Sequence, residues 1–182
     1  MAARIGRGIR NVIPHAAREF LAAQPLAIAS TVDAVGNVWA SLLVGAPGFL
    51  RSVDDRTLAI STQPSDADPL LANLAANDKI GLLAIEFATR RRMRLNGRAR
   101  STDDGIVVHA EEVFSNCPKY IQARTWDLGE PSDVGEPRVG RTLTEEQRRW
   151  IASADTFFVA SYHPDAGADA SHRCGLPGFA RV

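Results

Sequence analysis

A mainly β fold, a β-barrel with added helices, is the class this sequence predicts, and three observations predict it. Seven short segments rich in apolar and β-branched residues recur between turn signals. Helical patterns are few and do not alternate with the strands, which argues against βαβ units. The chain has 182 residues, 45% of them hydrophobic and 23% charged, enough for one packed domain and short for two. Closing such a sheet protects its edges, so a closed or nearly closed antiparallel barrel is expected.

The elements follow in order. Residues 1–24 form an amino-terminal helical segment, in which Pro14 suits a first helical turn and Phe20 and Leu21 would dock on the core. Pro25 ends it. Ala27 to Val32 is a strand, Asp33-Ala34-Val35-Gly36-Asn37 a turn, and Val38 to Val44 the return strand of a hairpin. Thr57–Thr62, Ile80–Phe87, Arg92–Arg100, Ile106–Glu112 and Thr156–Tyr162 complete the seven. Asp68 can cap a helix opening at Pro69, with Leu70, Leu71 and Leu74 on its buried side. Asn116 or Ser115 can cap another opening at Pro118, and Thr144-Glu145-Glu146-Gln147 fits a capping box, so 145–153 should be helical. Residues 125–155 read as a loop and helix excursion carrying Gly129, Pro131, Gly135 and Pro137, and long ordered loops are often functional. A single domain over 1–182 is expected, with no internal repeat and no low-complexity tract.

Charge removes some functions. Lys+Arg and Asp+Glu both number 21, so no basic excess recruits nucleic acid or an anionic membrane. No apolar run approaches the roughly 20 residues that span a bilayer. The segment Met1-Ala2-Ala3-Arg4-Ile5-Gly6-Arg7 lacks the apolar stretch of a secretory signal, so a cytoplasmic protein is expected. Cys117 and Cys174 are far apart with no Cys-x-x-Cys spacing; a disulfide between them stays open, and reduced thiols are the simpler reading.

Strand 92–100 is the most informative. Alternation puts Arg92, Arg94, Asn96, Arg98 and Arg100 on one face, with Arg90 and Arg91 in the preceding turn. Arg98 and Arg100 read as solvent-facing. Arg90 to Arg94 would repel one another unless a phosphate, a carboxylate ligand or an acidic partner sits among them. Ser61-Thr62 ends a strand shortly before the Asp68 cap, where hydroxyls can cradle a phosphate or simply shape a turn. Lys119 and Tyr120 can contact an anionic or aromatic ligand; Cys117 is more often a small buried hydrophobe than a nucleophile. His163, Asp165, Asp169 and His172 cluster in a glycine-rich loop, but their spacing matches no metal pattern and no metal is assigned. Nucleotide-binding glycine loops and the Gly-x-Ser-x-Gly elbow are absent. No side chain identifies itself as a catalytic acid or base.

Four stretches, taken together, resemble a known family. They are Trp39-Ala40-Ser41-Leu42-Leu43-Val44-Gly45-Ala46-Pro47-Gly48-Phe49-Leu50, the arginine-rich strand, Asn116-Cys117-Pro118-Lys119-Tyr120-Ile121, and Ser171-His172-Arg173 through Pro177-Gly178-Phe179. In this order, from about Pro14 onward, they resemble the pyridoxamine 5′-phosphate oxidase-like flavoproteins. The resemblance implies an FMN-binding split β-barrel of roughly seven antiparallel strands, a homodimer, and FMN at the subunit interface. It implies that Trp39, Ala40, Ser41 and Leu42 lie along the flavin ring, and that Ser61, Thr62, Arg91 and Arg92 approach the ribityl-phosphate. Lys119 and Tyr120, on a helix, and the loop Ser171-His172-Arg173 would close the site. An FMN-dependent oxidoreductase of a small-molecule substrate, with a reduced nicotinamide as candidate donor, is the implied activity. The alternatives are a protein that binds or sequesters a flavin, F420 or haem without catalysis, and a dimeric scaffold without cofactor. The true pyridoxamine phosphate oxidases open the second strand with arginine and close it with lysine; Trp39 and Val44 stand there. Their Ser-Arg-Lys phosphate clamp is replaced by Asp66-Ala67-Asp68, so oxidation of pyridoxamine phosphate is not implied. The chain stops at Phe179-Ala180-Arg181-Val182 as a further strand begins, as in a shortened form.

Overall fold

The computed structural model describes residues 8–62, 64–65, 67–125 and 140–182. The elements are α1 (His15–Ala22), β1 (Leu26–Val32), β2 (Val38–Val44), β3 (Leu50–Ser52), β4 (Thr57–Ile60), α2 (Leu70–Ala76), β5 (Lys79–Glu86), β6 (Arg91–Thr102), β7 (Gly105–Ser115), α3 (Glu145–Ser153), β8 (Thr156–His163) and β9 (Gly167–Cys174). All seven expected strands occur, with ends shifted by a few residues. Seven strands form one antiparallel sheet in the order β2-β1-β5-β6-β7-β4-β3, and β8 and β9 form a separate hairpin.

The sheet must roll up. β2 and β3 are its two edges yet are joined by residues 45–49 only. Laid flat, seven strands would put those edges about 29 Å apart, beyond the roughly 20 Å that the link can span. Rolling brings them together, and Thr62 Oγ1 donates to the Val44 carbonyl at 2.7 Å across the seam. The interior then fills with Ala27, Leu43, Leu58, Leu82, Leu95 and Val108, while Phe20 and Leu21 of α1 and Leu70 and Leu74 of α2 join the same core.

The β8–β9 hairpin lies over the outside of this barrel, and the sequence records that. β1 is buried along its whole length because Ala27 and Ala29 face inward while Leu26 and Ile28 face the hairpin. Phe158 and Ala170 pack on Ile28 and Leu83 there. At Gly81 a Cβ would sit 2.5 Å from the Ala168 carbonyl oxygen and the Asp169 Cα, so only glycine permits so close an approach.

Four expectations need correction. β3 and β9 were not foreseen. Asp169 to Cys174, expected as loop, is the body of β9, with the turn confined to 175–180. No helix opens at Pro118: residues 119–120 form a turn, and Tyr120 takes φ 74°, a left-handed conformation that stops helical propagation. The fourth correction is that the chain does repeat. At a constant displacement of 130 residues, Gly45 to Gly175, α3–β8–β9 copies α1–β1–β2. The hairpin registers match, Leu26↔Val44 becoming Thr156↔Cys174 and Val32↔Val38 becoming Tyr162↔Ala168. Backbone bonds match too: Gly45 N to Pro25 O and Phe49 N to Ala46 O return as Gly175 N to Asp155 O and Phe179 N to Leu176 O. Gly48 and Gly178 both take positive φ, 98° and 87°, in the shared Gly-x-Pro-Gly-Phe-x-Arg turn. Of the 125–155 excursion, residues 126–139 lie outside the described residues, as does Asp66; α3 has the expected capping box between Thr144 and Gln147.

Candidate functional site

The expected residues fall into two groups. The first surrounds β2, whose alternation turns Ser41 and Leu43 inward and Val38, Ala40, Leu42 and Val44 outward. That outer face is bare, Leu42 being 56% and Val44 57% exposed. Trp39 lies half exposed beside the β1–β2 turn, its indole N–H donating to Asp33 Oδ2 at 3.2 Å. Desolvation acts to raise the Asp33 carboxyl, but bonds from the Asn37 and Trp39 side chains and the Asn37 and Val35 backbone outweigh it and lower the pKa to about 2. Asp33 thus ties the turn and Trp39 into one unit.

Ser61 and Thr62 sit beside this strand, Ser61 N donating to the Phe49 carbonyl and Thr62 to Val44. Buried Ser41 does not face a ligand surface; its hydroxyl donates to Asp68 Oδ1 at 2.7 Å, which also accepts from Leu70 N at 2.9 Å. Asp68 therefore binds the first N–H of α2, whose N-cap position is Pro69 where the sequence expected Asp68, and it places a carboxylate where the resemblance has a phosphate clamp.

The second group collects on β6. Arg91 donates from Nε and Nη2 to Glu86 Oε2 at 2.9 and 2.7 Å and lies over the Phe20 ring at 5.3 Å. With Arg90, held at φ 56°, and Arg92 it lines a cleft of about 450 Å³ against Phe20, Met93 and Pro118. Arg92 points toward β9: Nη2 donates to the Cys117 carbonyl at 3.1 Å, and Nη1 lies 3.3 Å from His172 Nδ1. Burial, with the Arg94 charge next, lowers the Arg92 pKa. It remains a cation.

His172 is 2% exposed, wedged between the Phe87 and Phe158 rings at 5.7 and 5.6 Å. Burial and then the charges of Arg92, Arg124 and Arg173 lower its pKa to about 4, so the ring is neutral near pH 7. Since Nδ1 faces a guanidinium donor, its proton belongs on Nε2, which has no hydrogen-bond partner among the described residues. Ser171 is buried and Arg173 exposed. Lys119 and Tyr120 occupy the exposed turn, the ammonium 5.1 Å above the phenol ring, and the Cys174 thiol donates to the Tyr120 carbonyl. Both cysteines are free thiols.

The arginine repulsion foreseen on β6 is relieved from within. Arg94 donates to Asp169 Oδ2 at 2.8 Å and Asn96 donates to Asp169 Oδ1 at 3.3 Å, while Arg98 pairs with Asp78 and Glu111. Arg94, Asn96 and Asp169 are the polar cluster not assigned from sequence. The shared face of β6 was the signal for two of them, and only the placement of β9 supplies the third. Among the described residues no hydrogen bond or ion pair joins the β2 group to the Arg91–Arg92 group.

The sequence profile of the family described as pyridoxamine 5′-phosphate oxidase matches residues 13–125. The structure is similar to Group A Streptococcus HupZ, at 20% identity, covering 57% of this chain and 93% of that one with a TM-score of 0.47. It is similar to a protein from Lactobacillus delbrueckii named as a candidate pyridoxamine 5′-phosphate oxidase, at 20% identity over 58% of this chain and 95% of that one, TM-score 0.44. An F420 reductase matches at 14% identity over 54% of this chain and 93% of that one, TM-score 0.35. No curated protein matches. With more than half of its length matched by the family profile, the chain belongs to the pyridoxamine 5′-phosphate oxidase family.

Proposed function

We propose that the protein is an oxidoreductase that binds a flavin-type cofactor along the outer face of β2, with a second copy of the chain completing the cleft. One observation carries this reading: an edge strand with Val38, Ala40, Leu42 and Val44 bare, beside the Ser61–Thr62 seam. A planar apolar ring fits such a surface. The phosphate of FMN fits the same protomer less well. Beside β2 stand the Ser61 and Thr62 hydroxyls and the Asp68 carboxylate, and the arginines belong to the other group.

A bound flavin supplies the hydride or electron transfer, with a reduced nicotinamide as donor and a small molecule as acceptor. The chain's own contribution is positional. The Asp33 network fixes Trp39, the Ser41–Asp68 bond fixes the start of α2 against β2, and Thr62 locks the strand's end. The second reading, a dimeric scaffold without cofactor, is favoured by the Asp68 carboxylate alone.

Titration of the purified protein with FMN, riboflavin and F420, followed by visible absorbance, tests the proposal. The expected result is saturable flavin binding, with the bound flavin bleached by a reduced nicotinamide. Replacing Arg91 and Arg92 with alanine should weaken FMN more than riboflavin, because only FMN carries the phosphate. No uptake of any of the three would leave the scaffold.

A further inference from the structure

The internal repeat says what closes over the bare face of β2. In the second module, the residues that press β9 onto the barrel are Ala168, Ala170 and His172, all buried. Their counterparts in the first module are Val38, Ala40 and Leu42, all exposed. Phe158 packs on Ile28, its own counterpart, and a contact between equivalent positions marks a twofold relation between the two modules. α3 follows the same logic. Phe20 of α1 plugs the barrel, whereas its counterpart Trp150 is 78% exposed because α3 has no barrel to plug.

We propose that the arm formed by α3, β8 and β9 is an internal stand-in for the α1–β1–β2 module of a second chain. Arm docking and homodimerisation through this face therefore exclude one another. A second copy taking the arm's place would lay its β2 over β5 and β6 and have its own β5 and β6 cover the bare β2 in return. The exchange buries valine and leucine where the docked arm buries alanine and histidine, and it puts Ile28 of the second copy where Phe158 now packs. It also carries Arg92 of one copy to the position of Leu42 in the other, as Arg92 now meets His172. That unites in trans the two groups of residues that one chain holds apart. The inference rests on the two-copy cleft of the proposed function and adds what competes with it.

Two variants of the full chain test it, read by sedimentation equilibrium and hydrogen exchange without any cofactor. Ala170→Glu places a charge on the arm's buried face, where Ala170 is 0% exposed, and leaves the barrel face intact. Gly81→Leu fills the surface itself. Both should strip exchange protection from β8–β9 while the barrel strands keep theirs. Ala170→Glu should then associate at least tenfold more tightly than the parent, and Gly81→Leu should be monomeric. A monomeric Ala170→Glu, a dimeric Gly81→Leu, or an arm still protected in either variant or in any dimer would overturn the proposal. Failure to bind flavin, with these masses as expected, would sink the proposed function and leave this inference standing.

Discussion

At the residue scale, His172 is the most perturbed group of the candidate site. Its folded pKa, about 4, lies below the ordinary 6.5, so the native state binds fewer protons between those values. Stability is therefore present above pH 6.5 and is lost as the pH falls toward 4, by about 2 kcal/mol after allowing for solvent screening. The charges that face the ring, Arg92, Arg124 and Arg173, all act in the same direction. Urea midpoints at pH 7 and pH 5 should fall in the parent and fall less in His172→Gln; an equal drop in both would assign the loss to other groups. From sequence, His172 read as a loop residue near the cofactor. Its burial depends on Phe87 and Phe158, 85 and 14 positions away in the chain, and no local pattern brings those rings together.

At the element scale, what was legible followed local chemistry. The β1–β2 turn has Asp33 and a glycine at positive φ, and α3 has its Thr144–Gln147 box. β9 was not legible because Asp169, His172 and Arg173 look like loop residues, and their partners Arg94 and Arg92 sit on a strand distant in sequence. The repeat was hidden for a similar reason. Its two modules share strand register and the backbone bonds of the Gly-x-Pro-Gly-Phe turn, but few letters outside that turn. Since α3 buries no side chain, its cap should matter only locally. Thr144→Ala is expected to cost about 1 kcal/mol of α3 stability. It should lower helicity by circular dichroism without moving the barrel's unfolding midpoint, and a shifted midpoint would mean that α3 packs on the barrel.

At the scale of the whole molecule, the rolled sheet follows from strand count and from a five-residue link between opposite edges; six of the sheet's seven strands were visible in the sequence, and β3 was not. The outer surface was not. An apolar strand face reads the same from sequence whether it meets core, ligand or a second chain, and only the structure shows the two faces of β2 and β9 in opposite states of burial. Family membership makes a flavin the expected occupant beside that face, and the absence of any cation beside Asp68 among the described residues makes a second copy the expected source of positive charge. Leu42 is the residue on which these expectations meet. The most direct measurement is therefore the FMN dissociation constant of the parent and of Leu42→Glu, by flavin fluorescence. Measurable binding by the parent is expected, with a loss of about tenfold or more in the variant, some 1.4 kcal/mol. Equal affinity in the two proteins would mean that the outer face of β2 does not hold the flavin.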